Sequence, residues 1–154
     1  MCVLGRDVVG RPSRITHIPS TNDVIVTDDQ AHRLRVFSSD DWTHQTSISP
    51  PTAATTEDIG SSGGLLHFPS GHCVTTDGRL AVIDFDSKSV VIWNIQTSDK
   101  QCSDTQSDDV VVFQTGLPCP GNVAITRGSQ LAVTDSKVRL LQFFRHCITR
   151  NVIF

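Results

Sequence analysis

Three aspartates recur at matching places along this 154-residue chain, and recurring acids are the first residues to test for chemistry. Asp28, Asp84 and Asp135 each close an apolar run, at intervals of 56 and 51 residues. Carboxylates of this kind could share general acid and base work or hold a divalent ion. Recurrence once per unit points elsewhere: each acid is expected to accept backbone N–H bonds within its own loop. His67, His72 and Cys73 offer a second set of metal-ligand types, but their spacing fits no strong zinc pattern, so separate polar roles are expected. No Gly-x-Ser-x-Gly elbow, phosphate loop or dinucleotide fingerprint occurs. Neither a catalytic residue nor a metal or other cofactor is expected.

The elements that position these residues are read from the repeat. Segments 11–37, 68–93 and 119–144 align, opened by Pro12, Pro69 and Pro120 and closed by Phe37, Trp93 and Phe144. Proline and aspartate lie 16, 15 and 15 residues apart in the three units. Each unit reads as strand, tight turn, strand, loop, strand. In the second, Gly71–Thr76 is the first strand, Asp77-Gly78 the hairpin turn, Leu80–Ile83 a doubly buried strand and Val90–Trp93 the third. Asn22-Asp23 and Gly128-Ser129 supply the turn in the other two units. A proline just before a first strand is permitted, because that position owes no ladder hydrogen bond. Trp42–Ile48 and Val110–Thr115 are candidates for a fourth, outer strand. Four-stranded units of roughly 40–50 residues describe the blades of a β-propeller.

Composition agrees with an all-β chain. Of sixteen acidic residues only Glu57 is glutamate, and aspartate favours turns over helix interiors. Hydrophobic residues make up 38% and charged residues 19%, the balance of a soluble globular protein. The net charge of -3 provides no global basic field for nucleic acid, although a local basic face is compatible with it. The apolar runs are too short to span a bilayer, and the start, MCVLGRDVVG, lacks the pattern of a secretory signal. Five widely spaced cysteines without a CxxC pair indicate neither a disulfide framework nor a zinc knuckle. Buried thiols, no membrane association and a cytoplasmic location are expected.

The stretch closing each unit is the most specific. VTDDQAHRLRVF (26–37) resembles the NHL-repeat signature through Asp28, His32, Arg33, Val36 and Phe37, with Ala31 in place of asparagine. VIDFDSKSVVIW (82–93) matches in its aspartate and its apolar-aromatic end, with Ser87, Lys88 and Ser89 replacing Asn-His-Arg. VTDSKVRLLQFF (133–144) reads as having a loop shortened by one or two residues, which leaves open what replaces the arginine. GSSGGLLHFP (60–69) is similar to the glycine-rich lead between blades, and GLPCPGNVAITRGSQLAVTD (116–135) to the final repeat of the tripartite-motif NHL proteins. The resemblance implies part of a six-bladed propeller from the C-terminal portion of an E3 ubiquitin ligase. RING and B-box modules are not visible in this sequence, so ligase activity is not carried over. What it carries over is recognition of protein substrates or adaptors or, in some relatives, of single-stranded RNA.

The expected division is an outer strand of a preceding blade at 1–10, a blade at 11–48, a flexible loop at 49–67, a blade at 68–115 with an insertion at 96–109, and a third blade with a tail at 116–154. About three four-stranded blades make a partial NHL-type propeller, since closure usually takes about four to eight. Either the chain is the C-terminal half of a larger propeller, or it is a half-propeller whose open edges self-associate. In a propeller, the loops entering first strands share a face with those joining second to third strands. That face would gather Arg11, His32, Arg33, His67, Phe68, Lys88, Lys137 and Arg139, where positive side chains and an aromatic could hold phosphates and stack a base. For Arg33 the favoured reading is structural, pairing with Asp28 or Asp29, and for Phe68 it is core; for Lys88 and Lys137 a solvated surface weighs as much as binding. A metal-dependent propeller hydrolase is the distant alternative, with only Asn122 near the start of a first strand and Glu57 in a loop read as flexible.

Overall fold

The computed structural model describes residues 8–48, 66–95 and 110–144. Eleven strands form three antiparallel sheets among them, and no helix occurs there. The first sheet runs β1 (Pro12–Ile18), β2 (Asp23–Asp28), β3 (Arg33–Ser38), β4 (His44–Ile48). The second runs β5 (Pro69–Val74), β6 (Arg79–Asp84), β7 (Ser89–Asn94), β8 (Val111–Gln114). The third has β9 (Pro120–Ile125), β10 (Leu131–Asp135) and β11 (Leu140–Phe144). Each sheet is a meander of consecutive hairpins, one per sequence repeat. The outer strand expected in the first ten residues, the two insertions and the tail lie outside the described residues, apart from 8–10 and 66–67, which belong to the loops entering β1 and β5.

Several boundaries differ from the sequence reading, each for a local reason. The three prolines are the first residues of their strands, paired with Asp28, Asp84 and Asp135, and in each case a bulge follows at once. The bulge is where the ladder is interrupted, so a residue without an N–H costs nothing there. Trp42 is excluded from β4 because its φ of 59° lies outside the β region. The loop of the third unit is not shortened. Leu140 pairs with Asp135 as Arg33 pairs with Asp28 and Ser89 with Asp84, so Leu140 occupies the arginine position and Arg139 that of His32. In the hairpin turns the left-handed residues are Asn22, Gly78 and Ser129, with φ of 62°, 84° and 57°. The left-handed conformation thus falls on Ser129, not on its glycine neighbour.

Strand alternation decides which side chains meet. Ile18, Ile25, Leu34 and Val36 of the first blade pack on Leu80, Val82, Val91 and Trp93 of the second. The opposite face of the second blade, Ala81, Ile83, Val90 and Ile92, packs on Val123, Leu131 and Val133 of the third. This middle blade is covered on both faces, which is why RLAVID and SVVIWN are nearly continuous apolar runs. Each fully buried Leu, Ile or Val contributes about 1.5–3 kcal/mol, so the two interfaces between blades are the main stabilising surfaces.

The first strands β1, β5 and β9 run side by side along the inner edge of the stack. Two contacts show how closely. A Cβ on Gly71 would lie 2.5 Å from Asn122 Cα and 2.9 Å from Gly121 O, both backbone atoms that cannot swing aside. Between β1 and β5, Thr16 Oγ1 donates to His72 O at 3.2 Å and lies 2.9 Å from His72 Nδ1. Gly71→Ala should therefore push β5 and β9 apart and cost about 1–3 kcal/mol. Urea denaturation is the check, and an unchanged midpoint would show that the inner strands are not in tight contact.

Candidate functional site

The recurring aspartates are all buried, and each ties two loops of its blade together. Asp28 accepts from the N–H groups of Gly10, Arg11 and Ala31, each at 3.2 Å, and from Arg35 Nε at 3.0 Å. Asp84 accepts from the N–H of His67 at 3.1 Å, Phe68 at 2.8 Å and Asp86 at 3.3 Å, and from Ser87 Oγ at 3.0 Å. Asp135 accepts from the N–H of Cys119 at 2.6 Å, Lys137 at 2.8 Å and Val138 at 2.9 Å. The expectation of loop capping is met, with one addition. Each carboxylate also bonds the segment entering its own first strand, so it clamps the entry loop to the loop between the second and third strands.

Burial pushes the Asp28 carboxyl up, but the bonds from Gly10, Arg11, Arg35 and Ala31 outweigh it and hold it at about 2. Asp135 is likewise lowered, burial being outweighed by the N–H groups of Val138, Cys119 and Lys137 and by the Lys137 charge. Both carboxylates are held on the ionised side at neutral pH and occupied by hydrogen bonds, the opposite of a poised general acid.

The clamps gather the entry loops and second-to-third-strand loops at one end of the stack. His32 and Phe68 join the first two blades there, ring centroids 4.8 Å apart, and Phe68 continues to Phe85 at 5.9 Å. The hairpin turns lie at the other end, where Thr76 Oγ1 meets Ser129 Oγ at 2.9 Å. Arg11, His32, Arg33, His67, Lys88, Lys137 and Arg139 are exposed at the loop end, and Phe68 is half-buried.

Some expected partnerships differ. Arg35, not Arg33, makes the ion pair with Asp28: the two arginines share a face of β3 with Asp28, Arg33 directly opposite and Arg35 diagonal, and it is the diagonal neighbour whose Nε reaches the carboxylate, at 3.0 Å. Arg33 Nε reaches only the Ala31 carbonyl, at 3.3 Å. Asp29 is engaged by Arg11 Nε at 3.6 Å, an exposed pair worth about 0–1 kcal/mol. Phe68 is not a core residue but the middle ring of the surface row with His32 and Phe85. The sequence reading missed Phe85; its place directly after the recurring aspartate was the available signal.

A second recurrence lies at this end. His32, Lys88 and Arg139 each stand four residues after their blade's aspartate, with φ of 51°, 54° and 55°. Left-handed backbone costs a non-glycine residue about 1 kcal/mol or more, and glycine would relieve it. Each blade instead carries a basic or imidazole side chain at this strained loop position.

His67, His72 and Cys73 do not converge. His67 is exposed at the loop end, His72 is buried against the first blade, and Cys73 faces the third. Burial raises the Cys73 thiol to about 11, so it stays protonated. Among the described residues no group of three or more His, Cys, Asp and Glu could hold a metal ion. Asn122 is exposed, and its side chain accepts from the Val123 N–H at 3.0 Å.

Burial, aided by the Arg14 charge, lowers His72 to about 4 from its ordinary 6.5. Its Nδ1 donates to Thr16 while Nε2 is buried without a partner, so protonation would strand an N–H in an apolar interface. The sign follows by linkage. Between pH 6.5 and 4 the unfolded chain takes up a proton that the folded chain refuses, so stability falls by about 3 kcal/mol as pH drops through that window. Asp28, held at about 2 from 3.8, adds a further loss below pH 4. Denaturation midpoints at pH 7 and 4.5 should show the first loss in the natural chain and not in His72→Leu; equal losses in both would refute the assignment.

No protein-family model and no curated protein sequence matches the chain. Solved structures do. An inactivated virginiamycin B lyase from Staphylococcus aureus, with quinupristin, is similar at 16% identity and a TM-score of 0.56, over 89% of this chain and 42% of that one. A streptogramin B lyase is similar at 14% and 0.54, over 86% and 40%. A gluconolactonase from Xanthomonas campestris is similar at 13% and 0.54, over 82% and 35%. The chain thus spans about two fifths of the length of these structures. Identities this low speak for the fold alone, and the fold they show is that of a β-propeller, of which the three sheets are blades.

Proposed function

We propose that the chain is a recognition module, the substrate-binding propeller part of a tripartite-motif-type E3 ubiquitin ligase, taking up protein substrates or adaptors at its loop end. The observation that carries this reading is the row His32, Lys88 and Arg139. Three blades each hold a charged or titratable side chain in a backbone conformation that would cost less with glycine. Strain repeated at equivalent exposed positions is what a surface built for contact retains. Two further features support it. The recurrent acids are occupied in clamping loops, and the clamps pre-organise the surface, which lowers the entropy lost on binding. The NHL resemblance of residues 26–37 includes His32 and Arg33 at this same end.

Glycine at two of these positions separates binding from folding. Lys88→Gly with Arg139→Gly should leave stability unchanged or raised by up to about 1 kcal/mol. Capture of bound proteins by cross-linking should fall about tenfold or more, while Arg127→Ala at the hairpin end should capture as the natural chain does. Equal capture by all three chains would refute the reading.

Single-stranded RNA is the second reading, favoured by the half-buried Phe68 ring between His32 and Phe85 amid exposed cations. About three phosphate contacts would give a log–log salt slope near −2 for a single strand. Fluorescence anisotropy with an oligouridine measures it, and binding that ignores salt, or that survives Lys88→Gly with Arg139→Gly unchanged, would exclude this mode.

A further inference from the structure

We infer that two copies of this chain associate head to tail, the outward face of the third blade of each docking on the outward face of the first blade of the other, to close a six-bladed ring. The association concerns this chain by itself and rests on its blade faces, not on the loop end that carries the recognition reading.

The pairing registers make positions equivalent from blade to blade. Ile15, His72 and Val123 stand opposite Val26, Val82 and Val133 in their blades. His72 and Val123 are buried by the preceding blade, whereas Ile15 is 70% exposed. The other face shows the reverse. Leu34, Val90 and Leu141 are equivalent, as are Val36, Ile92 and Phe143. The four in the first two blades are buried by the blade that follows, while Leu141 and Phe143 are 51% and 53% exposed. Both open faces therefore carry, in apolar form, the positions that are covered wherever a neighbouring blade is present.

The two faces are also of opposite kind. Within the chain, the Leu34–Val36 type of face always meets the Leu80–Val82 type: first blade on second, second on third. What is left over is one of each, the Leu141–Phe143 face of the third blade and the Ile15–Val26 face of the first. They are complementary in the sense already used twice. On the first-blade face Val24 and Phe37 are already buried, so Ile15 and half-buried Val26 are its docking residues. Copy number then follows from closure, which takes about four to eight blades. The described residues of one copy supply three, those of three copies would supply nine, and those of two supply six. A head-to-tail contact that closes after two copies is a ring with a two-fold axis along its centre, and it leaves neither face exposed.

Light scattering with size-exclusion chromatography tests this on the chain itself. A species of twice 16.8 kDa is expected at micromolar concentration. Ile15→Asp and Phe143→Asp should each yield a monomer, because every junction contains both faces. Circular dichroism checks that the variants fold, and both sites are exposed in the single copy, so loss of folding is not expected from either. Mixing the two variants should restore a dimer, since one of its two junctions is then natural on both sides. A folded monomer at all concentrations overturns the proposal, as does a chain that remains unfolded at all of them. A dimer that survives Ile15→Asp overturns it in favour of third blade on third blade, and a ladder of growing oligomers overturns ring closure.

Discussion

One buried carboxylate per blade holds the loop end of this protein together. Asp28, Asp84 and Asp135 sit at the last residue of a central strand, opposite the proline that opens the first strand. From there each reaches backward to the entry segment and forward to the next loop. Two loops that would otherwise carry unpaired N–H groups become one braced corner. In Asp28 and Asp135 the N–H donors that surround the carboxylate outweigh the cost of burying its charge; Arg35 adds a donor in the first blade and Ser87 one to Asp84 in the second. An uncharged residue of similar shape would leave several donors without acceptors, so the acid is a structural requirement of the blade.

That requirement explains why the residues most suggestive of catalysis are not available for it. A carboxylate saturated by main-chain donors can neither shuttle a proton nor approach a metal ion. What the clamp provides is a fixed platform from which other side chains project. The rings of His32, Phe68 and Phe85 cross from one blade to the next on this platform, and the left-handed positions beyond each clamp carry His32, Lys88 and Arg139. This end thus presents aromatic rings and positive or imidazole side chains side by side.

The blades are joined differently from how each is braced. Apolar faces stack, and the close approach of Gly71 to Gly121 and Asn122 brings β5 and β9 nearly to backbone contact. One polar bridge, Thr16 with His72, crosses between the first two blades. Its cost is a buried imidazole nitrogen without a partner, which makes this interface the acid-sensitive one. The second interface is lined by Ala81, Ile83, Val90 and Ile92, and its polar bridge, Thr76 with Ser129, lies at the exposed hairpin end instead of within the buried interface.

The blade repeat, its antiparallel hairpins and the capping role of the aspartates were legible in the chain because they rest on local rules. Turn residues, strand alternation and short-range hydrogen bonding act within a dozen residues, and each recurs three times, so one unit checks another. The gathering of the entry loops with the second-to-third-strand loops also followed once the repeat was read as a blade. Which arginine would meet Asp28 was not decided locally: Arg33 and Arg35 are two apart on one strand and share a face, and only the folded position of the carboxylate selects the diagonal Arg35 over the directly opposite Arg33. The loop length of the third unit and the half-buried place of Phe68 between two other rings were likewise settled by three-dimensional register, where a shift of one residue moves a side chain to the other face. Sequence alone determined what each blade is; tertiary structure decided what each blade touches, because contact between blades depends on residues about fifty positions apart that no local preference relates.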